Sequence, residues 1–136
     1  MVIYEVPGLV TVYWEDDVKA IHPIWQTIYR EDSGFQDALE VCFQYVRDHG
    51  VKHWIADISR CDSGMSSTDE EWSAQYFNKA LAETGIEKFV LLTPEAQTGK
   101  SGIADDWEKG AQRSVGSQVQ FFRAWSLEEA NQVLQT

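Results

Sequence analysis

Basic residues are scarce in this chain. Eleven Lys and Arg stand against 22 Asp and Glu, giving a formal net charge of −11 in 136 residues. A nucleic-acid binder carries a basic patch, and no Lys/Arg cluster is visible, so nucleic acid is not an expected partner. Anionic membrane surfaces are disfavoured for the same reason, and the charge argues chiefly for solubility. Cysteine is scarce too. Cys42 and Cys61 lack metal-ligand spacing and read as two reduced thiols. No segment approaches the length of a membrane span, and MVIYEVPG has neither a charged start nor a long apolar core. No membrane insertion and a cytoplasmic location are therefore expected.

Apolar and aromatic residues are plentiful. The hydrophobic content is 43%, with six Trp, five Tyr and six Phe, enough for one core without staples. The central stretch is VKHWIADISRCDSGMSS, residues 51–67. Val51, Trp54, Ile55, Ala56 and Ile58 form a nearly continuous apolar run, as expected of a strand covered on both faces. The run stops at Ser59-Arg60-Cys61-Asp62-Ser63-Gly64, a polar loop. Ser67-Thr68-Asp69-Glu70 then reads as a capping box that opens a helix.

Around this strand the chain supplies neighbours. Val2 to Val6 is a short apolar stretch closed by Pro7-Gly8, Leu9 to Trp14 is β-rich, and Glu15-Asp16-Asp17 makes a turn. Val18, Ala20, His22 and Ile24 alternate along the next arm, where Pro23 argues for an edge strand or an early stop. Ser33 with Gln36 forms a capping box for the first helix, whose apolar face is Phe35, Leu39, Cys42, Phe43 and Val46. Gly50 suits the left-handed position after its last turn.

The second helix runs from about Thr68 to Glu83, with Trp72, Tyr76, Phe77, Ala80 and Leu81 on its buried face and Gly85 after it. Lys88 to Thr93 is a continuous apolar strand, ended by Pro94. Ser101 can cap a third helix carrying Ile103, Trp107, Ala111 and Val115. Gln118 to Trp125 is the last strand, and Ser126 with Glu129 opens a final helix. The expected fold is α/β, one domain over residues 1–136. It has a single-layer mixed, mostly parallel sheet with an antiparallel N-terminal start, four helices and the order β-β-α-β-α-β-α-β-α.

This order resembles the STAS-like domains, the sulphate-transporter and anti-sigma-factor-antagonist family, and in particular its single-domain bacterial members. The residues that carry the likeness are VKHWIADIS before a polar loop, TDEEW opening the next helix, EKFVLLTP, and FFRAWSLEEANQVL. The resemblance implies a non-catalytic regulatory or ligand-binding module. In antagonist members a serine in Asp-Ser-Ser/Thr-Gly-Leu/Met is phosphorylated before the helix. The matching loop here is Asp62-Ser63-Gly64-Met65, one residue short, which makes Ser63 the candidate carrier of a phosphate.

Other constellations are weaker. Thr98-Gly99-Lys100-Ser101 follows a strand and precedes a helix, but Pro94 stands where a phosphate-binding loop needs its first glycine. Lys100 and Ser101 remain candidates for holding an anion at a helix start. Asp57 lies within an apolar strand and must find a partner or reach the strand end, where capping the loop backbone is the simplest role. His22, His49 and His53 are dispersed and read as surface or strand-face residues. A hydrolase site from Asp57, Ser63 and His53 is a third-rank reading, and no Gly-x-Ser-x-Gly elbow supports it. The aromatics near the strand ends, Trp72 above all, are candidates for lining an apolar pocket, as a small-molecule or lipid carrier would need.

The expected ligand or partner surface is therefore Asp57, Arg60, Asp62, Ser63, Ser67, Trp72, Lys100 and Ser101. Its occupant would be a protein or a small ligand. No cofactor, metal or catalytic residue is called for, and a homodimer through an edge strand or helix face is left open.

Overall fold

The computed structural model describes residues 1–29, 32–61, 66–92 and 119–135. Among the described residues six strands form one sheet in chain order: β1 (Val2–Val6), β2 (Val10–Glu15), β3 (Ala20–Trp25), β4 (His53–Asp57), β5 (Lys88–Leu92) and β6 (Gln120–Ala124). The first three pair antiparallel, and β3 to β6 pair parallel. The α/β class and the antiparallel start are as expected. The strand count is not, because Val2–Val6 pairs fully enough with β2 to be a sixth strand.

The helices are α1 (Gly34–His49), α2 (Ser67–Trp72), α3 (Asn78–Glu83) and α4 (Leu127–Gln135). A π-helical turn, Ser73–Phe77, joins α2 to α3. The described residues thus hold three helical stretches against four expected. The expected third helix, from Ser101, lies outside them.

The crossovers from β3 to β4 and from β4 to β5 each move one strand along the sheet, and connections of the same hand place their helices on one face. Accordingly α1 and α2–α3 share a core with Trp25, Trp54, Phe89 and Leu91, whereas α4 packs on the other face against Ile55, Val90 and Ala124. The continuous apolar run of β4 follows from this double covering, since Trp54, Ile55 and Ala56 alternate between two buried faces.

Pro23 is a correction. It lies in β3, between β2 and β4, and not on an edge strand. The β3–β4 register is set by Ala20 with His53, Ile21 with Trp54 and Ile24 with Asp57, so Pro23 falls between registered pairs and its missing N–H breaks none of them.

Capping differs in two places. Ser33 is the N-cap of α1, but its hydroxyl donates to Asp37 Oδ2 and caps no amide, while Gln36 turns to another helix. The cap of α2 is Ser66, one residue before the predicted Ser67, and its Oγ accepts from the Asp69 N–H at 3.3 Å. Where the Ser126 box was expected, Ser126 Oγ does accept from Glu129 N, and Glu129 accepts from Trp125 N. Gly50 takes the left-handed conformation (φ 61°) and returns its N–H to Val46.

Candidate functional site

The carboxyl ends of β3 and β4, with the starts of α1 and α2, make one end of the sheet. In open α/β sheets this is where ligands bind. Asp57 is the last residue of β4. Its Oδ1 accepts from the Ser59 amide at 2.9 Å and from the Ser59 hydroxyl at 2.6 Å, the loop-capping role expected of it. The turn is pinned further. Ile58 N donates to Leu92 O, Cys61 N to Ile58 O, and Cys61 Sγ to Trp25 O at 3.7 Å. Ile58 and Cys61 are buried, so the turn presents Ser59 and Arg60 to solvent on a fixed base.

Beside it, Gln36 near the start of α1 donates to Asp69 Oδ1 at 3.0 Å, tying the starts of α1 and α2 together. Asp69 is buried, in the first turn of α2, where its charge complements the free amides. Trp72 is half-buried. It meets Phe35 edge-on and lies 5.1 Å, centroid to centroid, from Tyr76. Tyr76 was expected on the buried face but is exposed, because the π turn shifts the phase of the helix there. A hydrogen bond with Glu40 raises the Tyr76 hydroxyl above its ordinary pKa.

Of the predicted surface, the structure brings Asp57, Arg60, Ser67 and Trp72 to this end of the sheet. Asp62, Ser63, Lys100 and Ser101 lie outside the described residues. Of the Asp57, Ser63 and His53 grouping, Ser63 lies outside the described residues and the other two are not brought together. His53 starts β4 and Asp57 ends it, about 13 Å apart at ~3.3 Å per residue. The His53 ring also faces Val18 O through Nδ1 at 2.7 Å.

A different histidine meets Asp57. His22 is 2% exposed; its Nδ1 stands 3.1 Å from Glu15 Oε1 and its Nε2 3.8 Å from Asp57 Oδ2. Three adjacent strands contribute one residue each. Burial pushes the Asp57 carboxyl upward, but the facing imidazole and the two Ser59 bonds outweigh it and hold its pKa below the ordinary value. Alternation placed His22 on a strand face, yet which carboxylates it meets depends on strand register, which no local pattern encodes. The two carboxylates address opposite ring nitrogens and cannot converge on one ion. Among the described residues, no group of His, Cys, Asp and Glu could hold a metal.

The core aromatics pack on one another. Trp54 contacts Phe43, Phe77 and Phe89, and Phe89 contacts Phe77 and Phe121, with centroids 5.4 to 6.1 Å apart. Cys42 is buried, which pushes its thiol up to about 12. Among the described residues no helix is long and apolar enough to cross a membrane. In comparisons with family models, curated proteins and solved structures, nothing matches the chain.

Proposed function

We propose that the chain is a non-catalytic regulatory module of STAS-like kind, which recognises a protein partner through the carboxyl ends of its parallel strands. The observation that carries this is the pinned turn after β4. Five hydrogen bonds and two buried residues hold it in place while Ser59 and Arg60 face solvent. A preorganised polar turn loses little conformational entropy on binding, which favours recognition. The half-buried Trp72 beside exposed Tyr76 adds an aromatic anchor of the type that dominates interfaces. Ser63 follows Ser59 by four residues in the sequence, and the STAS-like resemblance makes it the candidate carrier of a regulatory phosphate.

Affinity capture from the source cell with the full chain tests this. Native protein should retain a partner that Arg60→Glu, Trp72→Ala and Ser63→Asp each weaken, while Glu128→Lys on α4 leaves it bound. Equal retention by all four variants contradicts the proposal.

A further inference from the structure

The recognition reading leaves unused the meeting of buried His22 with the half-buried Glu15 and the buried Asp57. Buried polar groups are retained at a cost unless they are satisfied. His22 Nε2 has no hydrogen-bond partner, and the nearest acceptor is Asp57 Oδ2 at 3.8 Å. We propose that Glu15, His22 and Asp57 form a proton-operated latch on the Ser59 turn, closed while the imidazole carries both ring protons.

An ionised carboxylate only accepts, and an imidazole donates from both nitrogens only as the imidazolium. His22 faces a carboxylate through each nitrogen, so the neutral ring always sets one lone pair against a carboxylate oxygen. Among the described residues, these charged and aromatic groups face the ring. From β2 they are Glu15 and the Tyr13 ring, at 6.3 Å, and from β4 Asp57. Lys19 is engaged with Asp16 in an exposed pair and supplies no charge here.

Asp57 has two oxygens with two tasks. Oδ1 holds the Ser59 amide and hydroxyl, and Oδ2 faces His22. With the imidazolium present, the buried carboxylate has a counter-charge and stays beneath the turn. With the neutral ring, it is held by neutral donors alone and gains by rotating toward water, which loosens Ser59. The latch thus closes when the imidazole holds both ring protons and opens when it gives one up. It deepens the recognition reading, because Ser59 belongs to that surface, but its test needs no partner, so either can fail without the other.

The test is an NMR titration of the isotope-labelled full chain between about pH 5 and 8, the window of imidazole chemistry. The Ser59 amide shift should follow the His22 ring with a common midpoint, and His22→Gln should abolish that dependence. His49→Gln should leave it intact. A Ser59 shift that stays flat while His22 titrates overturns the latch. So does a dependence that survives in His22→Gln, or an imidazole that keeps one state throughout. Should His22→Gln fail to fold, Glu15→Gln replaces it. The His22 and Ser59 midpoints should then move together, and separate or absent movement overturns the proposal.

Discussion

The two faces of the sheet are built differently. The face under α1 and α2–α3 is an aromatic interior in which Trp54, Phe43, Phe77 and Phe89 touch one another. Among the described residues the face under α4 is lined by smaller buried side chains, Ala20, Ile55, Val90 and Ala124, with half-buried Phe122 packed against them, and the same face of β3 and β4 carries His22 and Asp57. Neighbours in sequence fall on opposite sides, Trp54 on the first and Ile55 on the second. The lesson is a division of labour. Among the described residues the aromatic packing lies on the first face and the imidazole between two carboxylates on the second.

The sharpest way to break this comparison is to empty the first face. Trp54→Ala should cost about 3–5 kcal/mol in denaturant unfolding, since the ring is fully buried among other rings. Leu134→Ala on α4 should cost less, about 2 kcal/mol, because a short terminal helix can settle into the space. Equal costs would remove the distinction between the faces.

The second face should instead show itself through pH. The folded-state pKa of Asp57 is depressed, so its contribution is present above the carboxyl range of the unfolded chain, about 3.9. It is lost as pH falls through the lower folded value. Unfolding midpoints measured from pH 7 down to pH 3 should therefore fall less steeply in Asp57→Asn than in the native chain. Identical slopes would show that the carboxylate carries no net stabilisation.

The smallest effect separates two adjacent serines. Ser66→Ala should cost about 1 kcal/mol, the usual value of an N-cap hydroxyl. Ser67→Ala, at an exposed position inside the helix, should stay within about 0.5 kcal/mol. The reverse ranking would restore the cap to Ser67.

Sequence pattern carried the fold further than the site. The apolar runs at Trp54–Ile58 and Phe89–Leu92 announced strands covered on both sides, and Gly50 and Gly85 marked helix ends where the backbone takes positive φ. Pattern failed where pairing across the sheet decided the outcome. Pro23 sits in an internal strand because the register passes over it. Gln36 left its local box for Asp69, 33 residues away, which no window of neighbouring residues can show. The role of Asp57 toward Ser59 was legible because both lie within one turn. Its meeting with His22 was not, because it depends on the parallel register of β3 on β4.

The most direct test of the central claim is hydrogen exchange of the native chain with and without the captured partner. Protection is expected at Ser59–Cys61 and along α2, with the exchange of α4 and β1 unchanged. Protection confined to α4 or β1, with none after β4, would place the interface elsewhere and contradict the account.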